Sequence, residues 1–545
     1  MTQPEALAKD EQLCWSPGTG TDVWAIFQAA MQGDLPAIRR LLQKDAALVN
    51  CHYDYRNPLY FAVRENQPEA VAYLIEQGAN PLRSGASDTL LQMARDRGYT
   101  AIQQLLENTI AGKGGRPEGV AIAAAIRNRD HEQVRTLLDA SPALIHACDE
   151  NTNQPIHWAV MTRQPALIDE MLARGADINA TRRDGARPIH LCNGDYDYRG
   201  WRDVPADTVA TPDDIYRLLV AKGAYLDIYM AALKGNIERV RELLDQDPSL
   251  VNRISDCFTG YGGSGAALTN AAAGGHLAIV QLLLERGADP NLREEGVAPQ
   301  GHALHKAAAR GHLAIAKLLL EHGAFPNPEV ESSADALSMA INNGHTDMVE
   351  LLCSYGAARR VHMLGYMGDI RTAAAMFAVN PSLANNPDAL ENAAGQGHDA
   401  FVRLMLRYQP GLARKIAVGV RTQGSQDPIR TQELTSFLFS HGMNPNFKSW
   451  LGITPLHFFA KYGDTANAAL FIKQGADVNA VDEEYCATPL GYAVKFSKKE
   501  MVLFLLEHQA DPNLPVSPAW ARPLAWANRR GLEAIATILR QHGAL

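Results

Sequence analysis

The chain has little of what usually marks a chemical specialisation. Its seven cysteines, Cys14, Cys51, Cys148, Cys192, Cys257, Cys353 and Cys486, form no CxxC pair in 545 residues. Scattered single thiols in an odd total build neither a disulfide framework nor a zinc clip, and they suit a reducing cytosol. Excess charge is small, since 51 Lys and Arg against 60 Asp and Glu leave a net −9. A nucleic-acid binder needs a dominant basic field to release counterions, so this balance argues against such a partner. Apolar runs of about 18 residues are missing, and MTQPEALAKDEQLCWSPGTG carries no basic region followed by an apolar one. Neither a membrane span nor an export signal is expected.

Catalytic signatures are equally sparse. No HExxH, GxSxG, GK[ST] or kinase motif set occurs, and no acid pair recurs at fixed spacing. The sequence therefore assigns no catalytic residue, no metal ligand and no cofactor, and a non-enzymatic protein is expected.

What the chain does have is apolar material, 46 % of residues against 20 % charged, and repetition. GGHLAIVQLLLERGADPN at 274–291 returns as RGHLAIAKLLLEHGAFPN at 310–327 and more loosely as NGHTDMVELLCSYGA at 343–357. Around these recur QPIHWAV at 154–160, RPIHL at 187–191, HALHKAA at 302–308, TPLHFFA at 454–460 and TPLGYAV at 488–494. Ile279, Val280, Leu282, Leu283 and Leu284 give a wide apolar face at helical spacing, and Gly287 follows as a left-handed cap. Thr454 can cap a helix whose first turn takes Pro455, where a missing N–H costs nothing. One such unit cannot cover its own apolar face, so units must stack.

These motifs resemble the ankyrin repeat, with its TPLH-type turn, two antiparallel helices and GADPN-type exit. The resemblance runs from about Val23 to Leu545 and implies an all-α solenoid of about sixteen helix-turn-helix units with finger loops. It also implies a protein-binding module whose concave face, lined by fingers and inner helices, grips a partner. His157, His190, His305 and His457 hold the TPLH position, where the imidazole is expected to bond neighbouring loop backbone. His276, His312, His345 and His398 hold a GH turn. Four units, at 41–50, 137–146, 243–252 and 376–385, replace the glycine exit with a short turn and an apolar anchor.

The expected organisation is an extension at 1–22, an amino-terminal block at 23–110, a possible joint at 111–119 (AGKGGRPEG) and a main array at 120–545. Two stretches lengthen that array. GDYDYRGWRDVPADTVATP, at 194–212, is an insertion between the two helices of one unit, and the glycine-rich 256–265 is a lengthened finger. The first brings Tyr196, Asp197, Tyr198, Arg199 and Trp201, a composition enriched in binding hot spots. Further candidate partner-binding residues near finger tips or helix starts are Tyr53, Tyr55, Trp450, Tyr485 and Trp520, whereas Trp158 and Trp526 are expected between units. The carboxylates of VDEEYCATPL at 481–490 read as a solvated turn, with a basic partner as the sharper reading. YDYR occurs at both 53–56 and 196–199, but about one such coincidence is expected in a chain of this length.

The expected function is a scaffold for an unknown protein partner, with no nucleic acid, a monomeric state and a cytoplasmic location. The alternative is a small-ligand receptor or enzyme whose pocket is walled by the 194–212 and 256–265 insertions and lined by Asp195, Asp197, Arg199 and Tyr261.

Overall fold

In the sequence His302–Leu320 the apolar residues fall on one side of each of two helices, His302–Arg310 and Leu313–Glu321. Ala303, Leu304, Ala307 and Ala308 of the first and Ile315, Ala316, Leu319 and Leu320 of the second are buried. Each leucine or isoleucine so covered stabilises the stack by about 2 kcal/mol. Between the helices Gly311 sits at φ 72°, and Gly323 at φ 86° ends the pair. The same pair recurs along the chain, giving thirty α-helices and no strand among the described residues. The computed structural model describes all residues except 82–87, 112–116, 150–151, 183, 195–203, 258–261, 295–297, 331–334 and 417–427.

Two interlocks explain why the repeat carries the letters it does. At the turn, the glycine of one unit makes room for the histidine of the next: a Cβ on Gly275 would lie 2.8 Å from the His312 ring, and one on Gly235 2.6 Å from His276. His276 Nε2 then donates to Leu233 O at 3.0 Å, and His398 Nε2 to Tyr366 O at 3.0 Å. At the exit, an asparagine staples its unit to the following one. Asn291 Nδ2 donates to Gly323 O at 2.8 Å while its Oδ1 accepts from Phe325 N–H at 2.8 Å. Asn327, Asn446 and Asn513 repeat the double bond onto Gly356, Gly475 and Gly543 and the residue two beyond each.

The helix-start histidines are built in. His157 Nδ1 accepts from Gln154 N–H at 3.0 Å and its Nε2 donates to Ala180 O at 3.0 Å. His457 makes the same pair of bonds with Thr454 N–H and Ala487 O. Burial holds the His157 imidazolium off down to about 3 and that of His457 down to about 4. His190 keeps half of the pattern, its Nδ1 accepting from Arg187 N–H at 3.1 Å, while its Nε2 meets Asp227 Oδ2 at 2.9 Å instead of a backbone carbonyl. His305 is buried edge-on to His302, ring centroids 5.8 Å apart.

The four variant exits fold as 3-10 turns at Ala46–Asn50, Pro142–His146, Pro248–Val251 and Pro381–Ala384. Asp45, Asp247 and Asn380 cap three of them by accepting from the N–H two residues on. A fifth turn, Leu412–Lys415, follows the helix Asp399–Tyr408 and had no counterpart in the sequence reading.

The chain divides into two compact units. One comprises Met1–Leu13, Pro17–Gln103 and Arg359–Leu545, and the other Cys14–Ser16 and Gln104–Ala358. In the first, an apolar core runs from Val361 to Leu539, with Phe377, Phe401, Phe459, Phe471 and Trp526 fully buried. In the second, one core spans Ile122 to Cys257 around Trp158 and another spans Ile228 to Leu352. Trp158 and Trp526 are 2 % and 1 % exposed, packed as expected.

Candidate interaction surface

The finger at 53–56 is a two-residue hairpin. Tyr53 N–H donates to Arg56 O at 3.0 Å and Arg56 N–H returns to Tyr53 O at 2.9 Å. Asp54 at φ 47° and Tyr55 at φ 64° supply the left-handed conformations that such a turn demands. Gly185 (φ 80°) and Gly452 (φ 72°) hold the corresponding place, three residues before the helix proline, in other fingers. For tyrosine this backbone costs about 1 kcal/mol. The turn leaves Tyr55 62 % exposed and brings Arg56 inward.

A second finger, at 481–487, is wrapped around one carboxylate. Asp482 accepts from the N–H groups of Glu484, Tyr485 and Ala487 at 2.8 to 3.0 Å and from Tyr492 Oη at 2.8 Å. Burial raises its carboxyl above the ordinary range despite those donors. Asp482 and Glu484 are only 2 % and 4 % exposed, so the solvated turn read from VDEEYCATPL is corrected. A cation explains the burial of the second carboxylate: Arg56 Nη2 reaches Glu484 Oε2 at 2.8 Å.

That ion pair is the centre of a contact within the first compact unit, between residues 17–103 and residues 450–530. Trp450 stands edge-on to Tyr53 at 5.3 Å and donates its indole N–H to Asp54 Oδ2 at 3.0 Å. Arg97 donates to both Arg64 O and Glu484 O, and its guanidinium lies 4.7 Å from the Trp520 ring. Lys495 pairs with Asp88 and sits among the rings of Tyr485 and Trp526, 4.5 and 4.6 Å from their centroids. Burial pulls its ammonium below the ordinary value, against the opposing pull of Asp88. Arg530 adds longer ion pairs to Asp88 and Asp96 at 3.9 and 3.8 Å. The helix Leu90–Arg97 packs on the turn Ala519–Ala521.

Of the candidate residues, Tyr53, Trp450, Tyr485 and Trp520 are thus brought to one contact, and Tyr485 is 5 % exposed. Tyr55 stays largely exposed. Tyr196, Asp197, Tyr198, Arg199 and Trp201 lie outside the described residues. So do Asp195 and Tyr261, two of the four residues assigned to a small-ligand pocket, the others being Asp197 and Arg199. Asp88, Arg97 and Lys495 were missed in the sequence, and so was the pairing of Arg56 with Glu484, since nothing local relates residues more than 380 positions apart.

Elsewhere, Glu294 takes the N–H of Ala266 at 2.9 Å and the Thr269 hydroxyl at the base of the glycine-rich finger. A buried carboxylate there occupies the donor that a phosphate would need. The remaining insertion residues Pro205–Ala210 border an open cleft of about 510 Å³ with Arg129 and Arg163. Among the described residues no three His, Cys, Asp or Glu side chains gather as a metal ion requires, and no helix is long and apolar enough to cross a membrane.

Stacked helix pairs with projecting fingers and interlocking turns define a helical repeat protein, a class that works by presenting surface. The chain belongs to the ankyrin repeat family. A family model described as ankyrin repeats in three copies matches residues 16–84, 271–363 and 430–515. An ankyrin repeat protein of Fowlpox virus (strain NVSL) is 30 % identical over 158 residues, 29 % of this chain and 73 % of that one. A protein of Oryza sativa subsp. japonica named a probable E3 ubiquitin-protein ligase is 30 % identical over 251 residues, 46 % of this chain and 37 % of that one. The B-cell lymphoma 3 protein homolog of Mus musculus is 29 % identical over 180 residues, 30 % of this chain and 40 % of that one. The chain thus spans less than half the length of the last two. Ankyrin repeats are a protein-interaction module, and they imply protein partners.

Proposed function

We propose that this chain is a non-enzymatic cytoplasmic scaffold, monomeric by itself, that holds a protein partner and not a nucleic acid. The observation that carries this reading is where the chemically versatile residues are spent. His157, His276, His398 and His457 bond backbone within or between units, and the exit asparagines do the same. What the stack does not require is the aromatic insertion at 194–212 and the exposed Tyr55. We assign partner anchoring to Tyr196, Asp197, Tyr198, Arg199 and Trp201, with Tyr55 as a further contact and Tyr53, Trp450, Tyr485 and Trp520 as anchors where their own contact is released. The blocks at 23–110 and 120–545 and the joint at 111–119 remain our division of the array.

Replacing Tyr198 and Trp201 together by alanine tests this. Partner capture in a pull-down falls at least tenfold while the thermal melt is unchanged. A melt that drops sharply with capture intact would make those rings core and end their assignment as anchors, and no protein captured by the parent chain would end the proposal. A second reading, a small-ligand receptor or enzyme, draws support from the cleft at Arg129, Arg163, Asp207 and Thr208. The ligase activity in the rice protein's name belongs to a protein of which this chain matches 37 %.

A further inference from the structure

We infer that residues 17–103 are a releasable occupant of the face formed by Trp450, Glu484, Lys495 and Trp520, so that the first compact unit alternates between a closed and an open state. The inference rests on the interaction-surface reading for what the face is for, but not for whether it opens.

The make-up of the contact separates it from the stack itself. Consecutive units share apolar core, whereas the core running from Val361 to Leu539 takes in no residue of the first 103. The contact is instead built from ion pairs, Arg56 with Glu484 and Lys495 with Asp88, and from Arg97 over Trp520. Trp450 against Tyr53 and Phe61 is its main ring packing. Polar contacts of this kind between parts of one chain resemble transient interfaces and permit relative motion, unlike the apolar ones of permanent assemblies.

The energetics point the same way. Arg56, Arg97, Glu484 and Lys495 are almost wholly buried, with side chains 12 % exposed or less. Closing removes them from water, and their mutual attraction only roughly offsets that loss. Opening rehydrates all of them at once, so the two states stay close in free energy, and added salt favours the open one. Removing a single partner has a different effect, because it strands a buried charge and makes the closed state unfavourable. Both faces that meet are finger and inner-helix faces, the side by which this fold meets other proteins. A closed unit therefore withholds Tyr485 and covers part of Trp450 and Trp520.

Hydrogen exchange on the full chain tests the inference. Arg56→Glu, Glu484→Arg and Asp88→Lys are each expected to speed exchange at least tenfold in peptides 51–64 and 482–496, while Phe459, Phe471 and the parts of that core outside 482–496 stay protected. The charge swap Arg56→Glu with Glu484→Arg returns both peptides to within about twofold of the parent, and 0.5 M salt speeds exchange of the parent there. Unchanged exchange in the single variants, a swap that exchanges as fast as they do, or melting of the Val361–Leu539 core outside 482–496 together with the contact would each overturn it. If exchange behaves as expected and neither the parent nor the charge variants capture any protein, the latch stands and the scaffold reading falls.

Discussion

Tyr55 and His457 show how single residues carry strain or charge for different ends. Tyr55 holds a left-handed backbone that glycine takes in other fingers, and 62 % of its surface is in water. Tyr55→Gly relieves about 1 kcal/mol of strain and gives part of it back as unfolded-chain entropy. The melt is therefore expected to hold steady or rise, and partner capture to weaken; a fall in stability would show the ring to be packed. His457 is neutral and bonded at both nitrogens, with its charged form held off to about 4. Its folded value lies below the unfolded one near 6.5, so the stability it supplies is complete above that pH and is lost as pH falls towards 4. The expected slope is about 1.4 kcal/mol per pH unit for each such histidine. Melting temperature between pH 7 and 4.5 should fall less steeply in His457→Gln than in the parent, although the variant starts lower.

At the scale of the element, the repeat letters are interlocks, and this is why the fold was legible. Gly275 and His312, or Asn291 and Gly323, recur at the spacing of one unit because each pair joins one unit to the next. The variant exits were legible for a related reason: Asp45, Asp247 and Asn380 are turn cappers followed by an apolar anchor, a local pattern. The turn Leu412–Lys415 went unread because Gln409-Pro410-Gly411 carries no such capper. Asn291→Ala removes two exposed hydrogen bonds and is expected to cost about 1 kcal/mol, seen as earlier denaturant unfolding of the units on either side. No change in midpoint would show the staple to be ornamental.

At the scale of the whole molecule, the site was much less legible than the fold. The aromatic candidates Tyr53, Trp450 and Trp520 were visible as residue types near finger tips. That Tyr53 meets Trp450, that Arg97 lies over Trp520, and that Glu484 is buried against Arg56, 428 positions away, depends on pairing with no period to announce it. Glu484 looked solvated because its cation, Arg56, lies in the first hundred residues, and Asp482 because its donors are backbone N–H groups and the Tyr492 hydroxyl. The two YDYR copies part company for the same reason: the first is a strained hairpin tied to Trp450 and Glu484, and the second lies in the insertion at 194–212. The central claim is that this chain works by holding another protein. Affinity purification of the intact chain from its native cell, followed by mass spectrometry of everything retained, tests it most directly. The account predicts a protein recovered near stoichiometry and lost with the Tyr198/Trp201 variant; a retained small molecule with no protein above background would contradict it.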